Sequence, residues 1–99
     1  MQVDVQKNNK DIYVKVVGPL NTITAAEFLD AVTAQMHTAG VVTIDVSEME
    51  YTSSAGLRAL LTIDKMLEKD DGMKILHPND VVMSVFDESG LSRIFNIER

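Results

Sequence analysis

VVTIDVSEMEYTSSAGLRALL, residues 41–61, changes character twice. Val41-Val42-Thr43-Ile44-Asp45-Val46 is a β-branched run, the composition of a central strand covered on both faces. SEMEYTSS, residues 47–54, is polar and too rich in hydroxyls and acids to continue it. Leu57, Leu60, Leu61, Ile63 and Leu67 then recur at helical spacing, which predicts a helix from about Ser54 to Lys69, closed by Asp70-Asp71-Gly72. A strand followed by a loop and a helix is half of a βαβ unit, so neighbouring segments decide how many such units there are.

Upstream, Val3 and Val5, then Ile12, Val14 and Val16, recur with period two around the turn Lys7–Asp11 and predict a β-hairpin. Gly18-Pro19 ends its second strand. Ala25, Leu29, Val32 and Met36, with Phe28 beside them, predict a helix over about 24–38, opened by the capping-box spacing of Thr24 and Glu27 and stopped by Gly40. Downstream, Met73–Leu76 is a short strand. Asn79 or Asp80 can cap a third helix through Val81, Val82, Val85 and Phe86 to Gly90, and SRIFNIE alternates as a final edge strand preceded by a helical turn. The order is β-β-α-β-α-β-α-β. It implies a mixed, largely parallel sheet of four to five strands with helices packed on it, and functional loops beyond the carboxyl ends of the strands, at Gly18–Thr22 and Ser47–Ser54.

Bulk properties narrow the function. A chain of 99 residues with 45% hydrophobic and 24% charged content suits one globular domain spanning 1–99. There is no cysteine, which removes disulfides, thiol nucleophiles and thiolate metal sites. The N-terminus alternates instead of forming an apolar leader, and no apolar run spans a membrane, so the expectation is a cytoplasmic protein without membrane insertion. Nine basic residues scattered among fifteen acids, for a net charge of −6, disfavour nucleic-acid binding.

The chemistry-bearing stretch is Thr52-Ser53-Ser54-Ala55-Gly56 at the helix start. Ser53 or Ser54 can cap free backbone N–H groups, the commoner role of such serines. Gly56 in the first turn is unfavourable by about 1 kcal/mol relative to alanine, so something must approach it closely: a neighbouring loop or a partner. A phosphate on a serine here would be stabilised by the helix dipole, while obstructing a partner docked on the same surface. Hydrolysis by such a serine needs a base, and the only histidines are His37 and His77, with no G-x-S-x-G elbow in the chain. Arg58 lies in the first turn near Ser54, where it can pair with a partner's acid or with a phosphate on that serine, or sit in solvent, which is the default. Asp45, Glu48 and Glu50 are close in sequence, but as solvated acids they need no metal.

DVSEMEYTSSAGLRALL, residues 45–61, resembles the signature of the STAS family, typified by bacterial anti-sigma-factor antagonists. Gly18-Pro19-Leu20-Asn21 leading into Thr24-Ala25, the strand VVTIDVS and VFDESGLSRIF (residues 85–95) resemble the family too, and the element order agrees over nearly the whole chain. The resemblance implies a non-enzymatic partner-switching module that binds an anti-sigma factor acting as a serine kinase. That kinase brings ATP and magnesium, phosphorylates the antagonist and so releases it, and a metal-dependent serine phosphatase reverses the change. The module itself needs no cofactor. The position matching the phosphorylated serine is Ser54, with Ser53 as a second acceptor, and Gly56 matches the family's glycine. Asn21, Thr22, Thr52, Ser53, Ser54, Ala55, Gly56 and Arg58 are the implied partner-binding residues. Many antagonists carry an acid before the phosphorylated serine and acids in the preceding loop, where this chain has Ser53, Pro19 and Asn21. The alternative is a STAS domain that binds constitutively, as a scaffold or accessory subunit of a transport or signalling complex.

Overall fold

A computed structural model describes residues 2–36, 40–67 and 72–99. The hairpin forms as its alternation predicts: β1 (Gln2–Asn8) pairs antiparallel with β2 (Asp11–Val17), and Asn9 in the turn adopts a left-handed conformation. Then follow α1 (Thr22–Thr33), β3 (Val42–Glu48), α2 (Ser54–Met66), β4 (Met73–Leu76), α3 (Asp80–Ser89), a single 3₁₀ turn (Leu91–Arg93) and β5 (Asn96–Glu98). The strands lie in sequence order, β1-β2-β3-β4-β5, and every pairing after the hairpin is parallel. The expected order and mixed, largely parallel sheet are both present.

Helix ends depart from expectation in instructive ways. Asn21, not Thr24, caps α1: its side chain accepts from the N–H groups of Ile23 and Thr24, and Thr24 returns the favour by accepting from the Asn21 N–H. The capping box is real but begins three residues earlier, with Thr24 where a Glu or Gln usually sits. α1 ends at Thr33 instead of continuing to 38, and α2 ends at Met66, capped by Leu67. His37, Lys69, Asp70 and Asp71 lie outside the described residues.

One expectation is corrected. β3 is covered on one face only. Parallel crossovers are almost always right-handed, and strands laid down in unbroken order put every crossover helix on the same side. The burial follows: Ile12, Val14, Val16, Val42, Ile44, Val46, Met73 and Ile75 meet Phe28, Val32, Leu57, Leu60, Ile63, Val82 and Phe86 in a single core. The alternate residues, Tyr13, Lys15, Thr43, Asp45, Ser47 and Lys74, form an open face. Phe86 meets Phe95 edge to face, with centroids 5.7 Å apart, which ties α3 to the C-terminal segment.

Tyr13, Lys15, Asp45 and Lys74 on the open face are matched within the chain. The Tyr13 hydroxyl donates to Asp45 at 2.5 Å, and the Ser47 N–H donates to the other oxygen of the same carboxylate. Burial raises the Asp45 pKa, but these two donors outweigh it and hold the carboxyl below its usual range. The same bond to Asp45 pushes the Tyr13 phenol up. Lys15 reaches Glu48 at 2.8 Å, which raises the lysine, and Lys74 reaches Glu98 at 3.2 Å.

Candidate functional site

Each helix follows a parallel strand, so all three begin at the edge where the strands end, capped there by Asn21, Ser53 and Asn79. Two loops are zipped together along this edge. Between Lys15 and Val17 the register of β2 on β3 slips by one residue, a bulge that redirects both chains. Beyond it, Gly18, at φ 94°, donates to the Glu48 carbonyl and accepts from the Glu50 N–H. Leu20 donates to Tyr51 at 2.9 Å and accepts from Ser53 at 2.8 Å, leaving Leu20 and Thr52 as one isolated parallel bridge. Leu20 is fully buried and Thr52 nearly so.

This zipper explains Gly56. A Cβ at that position would collide with the Thr52 hydroxyl oxygen and come within 3.0 Å of the Leu20 side chain. The close approach is made by the chain's own loops, and the helix accepts a poor helix former to let them pass. From the far side the Asn79 amide donates to the carbonyls of Met49, at 3.0 Å, and Glu50, while its oxygen accepts from the Val82 N–H. Met49, which lies in the same connection, is fully buried and contributes nothing to the surface.

The two serines are separated in role. Ser53 is the N-cap: its hydroxyl oxygen accepts from the Gly56 N–H at 3.3 Å, and its carbonyl accepts from Leu57. Ser54 is the first helical residue and exposed, and its hydroxyl makes no hydrogen bond among the described residues. Thr22 and Arg58 are also exposed, Asn21 and Ala55 are partly so, and Thr52 and Gly56 lie beneath the surface. The same edge carries apolar side chains that sequence reasoning passed over. Ile23 is 79% exposed, Tyr51 42% and Val81 56%. Ile23 and Val81 occupy the second position of α1 and α3 respectively, where a side chain must point away from the core. Ile23 is offset from the buried stripe of α1, which is the signal that marks it, whereas Val81 belongs to the apolar run that predicts α3 and is exposed because it lies at the helix start. Neither serine is hydrogen-bonded to His77, whose backbone is left-handed and whose ring faces the Arg99 carbonyl. Among the described residues no helix is long and apolar enough to cross a membrane.

The sequence model of the STAS domain matches residues 2–99. The anti-sigma-B factor antagonist of Bacillus subtilis is 26% identical over 98 residues, covering 98% of this chain and 90% of its own. Among solved structures, an anti-sigma factor antagonist from Mycobacterium paratuberculosis superposes with a TM-score of 0.88 at 23% identity, over 97% of this chain and 83% of that one. The anti-sigma factor antagonist SpoIIAA in its unphosphorylated form gives 0.84 at 16% identity, over 99% and 89%. At these identities the two structures speak for the fold.

Proposed function

The chain belongs to the STAS domain family, and from that premise we propose that it is an anti-sigma-factor antagonist switched by phosphorylation of Ser54. The relatives it resembles are named as such antagonists. The observation that carries the switch is the division of labour between the serines. Ser53 holds the helix, so the exposed Ser54 hydroxyl has no structural duty to lose. A kinase partner using ATP and magnesium forms the Oγ–phosphorus bond as the bond to ADP breaks, and the hydroxyl proton leaves to the kinase's base. The product carries about −1.5 to −2 charges, which the dipole of α2 favours by roughly 0.3–1 kcal/mol. The domain stays folded.

Docking is another matter. A partner lying flush over the edge covers Ile23, Tyr51 and Val81 as apolar anchors and meets Asn21, Thr22, Ser53, Ala55 and Arg58 around Ser54. Thr52 and Gly56 act from below, by fixing the loops. A dianion in the middle of that surface must be desolvated, and a penalty of about 3 kcal/mol lowers affinity more than a hundredfold. A metal-dependent phosphatase restores the docking form. The cytoplasm, where sigma factors work, is the setting this role requires. Capture from native extract tests the proposal: the parent and Ser54→Ala chains are expected to retain a kinase-like ATPase that Ser54→Asp loses. Equal capture by all three would mean constitutive binding, and phosphorylation of Ser54→Ala as strong as that of the parent would move the acceptor elsewhere.

A further inference from the structure

Arg58 stands four residues after Ser54, exposed, and among the described residues its guanidinium has no carboxylate partner. Other cations at the sheet's surface are engaged: Lys15 with Glu48, Lys74 with Glu98, and Arg99 with Asp80 at the start of α3. The first turn of α2 holds no acid that would compete for Arg58. On a helix, residues four apart lie on one face with Cβ atoms about 5–6 Å apart, and side chains lean toward the N-terminus. Arg58 therefore leans back over the turn that carries Ser54. Thr62 continues the row, exposed, with its hydroxyl donating to the Arg58 carbonyl at 2.8 Å. An anion placed N-terminal to a cation at this spacing is the favoured order.

Resting on the phosphorylation of Ser54 proposed above, we propose that Arg58 is a phosphate latch. Its guanidinium folds back onto a phosphoryl group on Ser54 and binds two of its oxygens in fork geometry. Two consequences follow. The modified helix gains an internal partner for its new charge, and the exposed Arg58 guanidinium is withdrawn from any acidic group on a docking partner. Release then has two causes, an added anion and a removed cation.

The experiment uses the full chain with phosphoserine encoded at position 54, so its outcome does not depend on any kinase accepting this protein. Phosphorus NMR follows the second ionisation of the phosphate in the parent, Arg58→Gln, Arg58→Lys and Arg58→Glu chains. The latch predicts a proton affinity roughly twofold lower in the parent than in Arg58→Gln, the strength of one exposed pair at this spacing. Arg58→Lys recovers part of that difference, Arg58→Glu shifts the midpoint the other way, and about 1 M salt collapses the series. The Arg58 Nε–H resonance is expected to move on modification in the parent. Identical midpoints in the four chains would overturn the latch. Loss of kinase transfer to Ser54 with the midpoints still separated would instead strike at the switch alone.

Discussion

On the open face of the sheet Tyr13 and Lys15 each hold a carboxylate of their own chain, and so does Lys74, whereas at the edge where the strands end Ser54 and Arg58 hold none among the described residues. The first surface is mostly closed: Asp45, Glu48 and Glu98 are matched in place, and a partner arriving over them would have to break those matches before making new ones. The second is chemically open, with a hydroxyl and a guanidinium that have no side-chain partner among the described residues and three exposed apolar side chains over a backbone-bonded pair of loops. Exposure alone does not distinguish the two regions. What distinguishes them is whether the exposed groups already have partners.

The contrast can be broken or sharpened by substitution. The largest effect belongs to the open edge: Ser54→Asp is expected to weaken partner binding about a hundredfold in a titration that leaves Ser54→Ala near the parent, with the unfolding midpoint of Ser54→Ala unchanged and that of Ser54→Asp slightly raised by the α2 dipole. Next is the support beneath it. Gly56→Ala is expected to lower stability by about 2 kcal/mol in denaturant unfolding, overpacking against Thr52 and Leu20 outweighing the gain in helix propensity. Adding Thr52→Ala removes the colliding oxygen and should return part of that loss. If Gly56→Ala is as stable as the parent, the zipper is looser than its geometry indicates.

The closed face should respond to pH rather than to partners. The Asp45 carboxyl is depressed in the folded state, so its contribution is present above its unfolded value of about 3.9 and is lost as pH falls through the lower folded value. Tyr13 is raised, so its contribution is present below about pH 10 and is lost as pH rises through the higher folded value. Tyr13→Phe is expected to cost about 1 kcal/mol at neutral pH, the lower end for a bond to a charged acceptor because Tyr13 is 40% exposed. It should also remove the phenol's share of the alkaline loss and shrink the acid one, read from unfolding midpoints across pH 3–11. Smallest of all, Glu48→Gln should leave both the midpoint and partner binding unchanged within experimental scatter, since both members of that pair are well solvated.

Local patterns carried the element order, because strand and helix periods are written in neighbouring residues. The hairpin of Val3, Val5, Ile12, Val14 and Val16 and the leucine stripe of α2 needed nothing more. Covering β3 on both faces was a misjudgement of a legible signal: Val42, Ile44 and Val46 alternate with Thr43, Asp45 and Ser47, the pattern of a strand with one wet side. The site divides in the same way. Its place at the start of α2 follows from topology, but the choice between Ser53 and Ser54 as cap turns on φ and ψ at one residue, and the two serines are alike in sequence. Gly56 makes room for Thr52, which is paired with Leu20, 36 residues before the glycine, and the hold of Asn79 on Met49 and Glu50 spans about as far; contacts of that range leave no mark on local spacing. That Arg58 has no carboxylate partner among the described residues is likewise a matter of where the acids fall in space, not of local spacing.

The assignment of helix anchorage to residue 53 has an evolutionary corollary. With the cap left to Ser53, and under the phosphorylation proposed for Ser54, position 54 can change between serine and alanine without touching the helix anchorage, so a single codon change gains or loses the signal. A responsive regulator and a permanently engaged scaffold are then neighbours in sequence space, separated by one side chain.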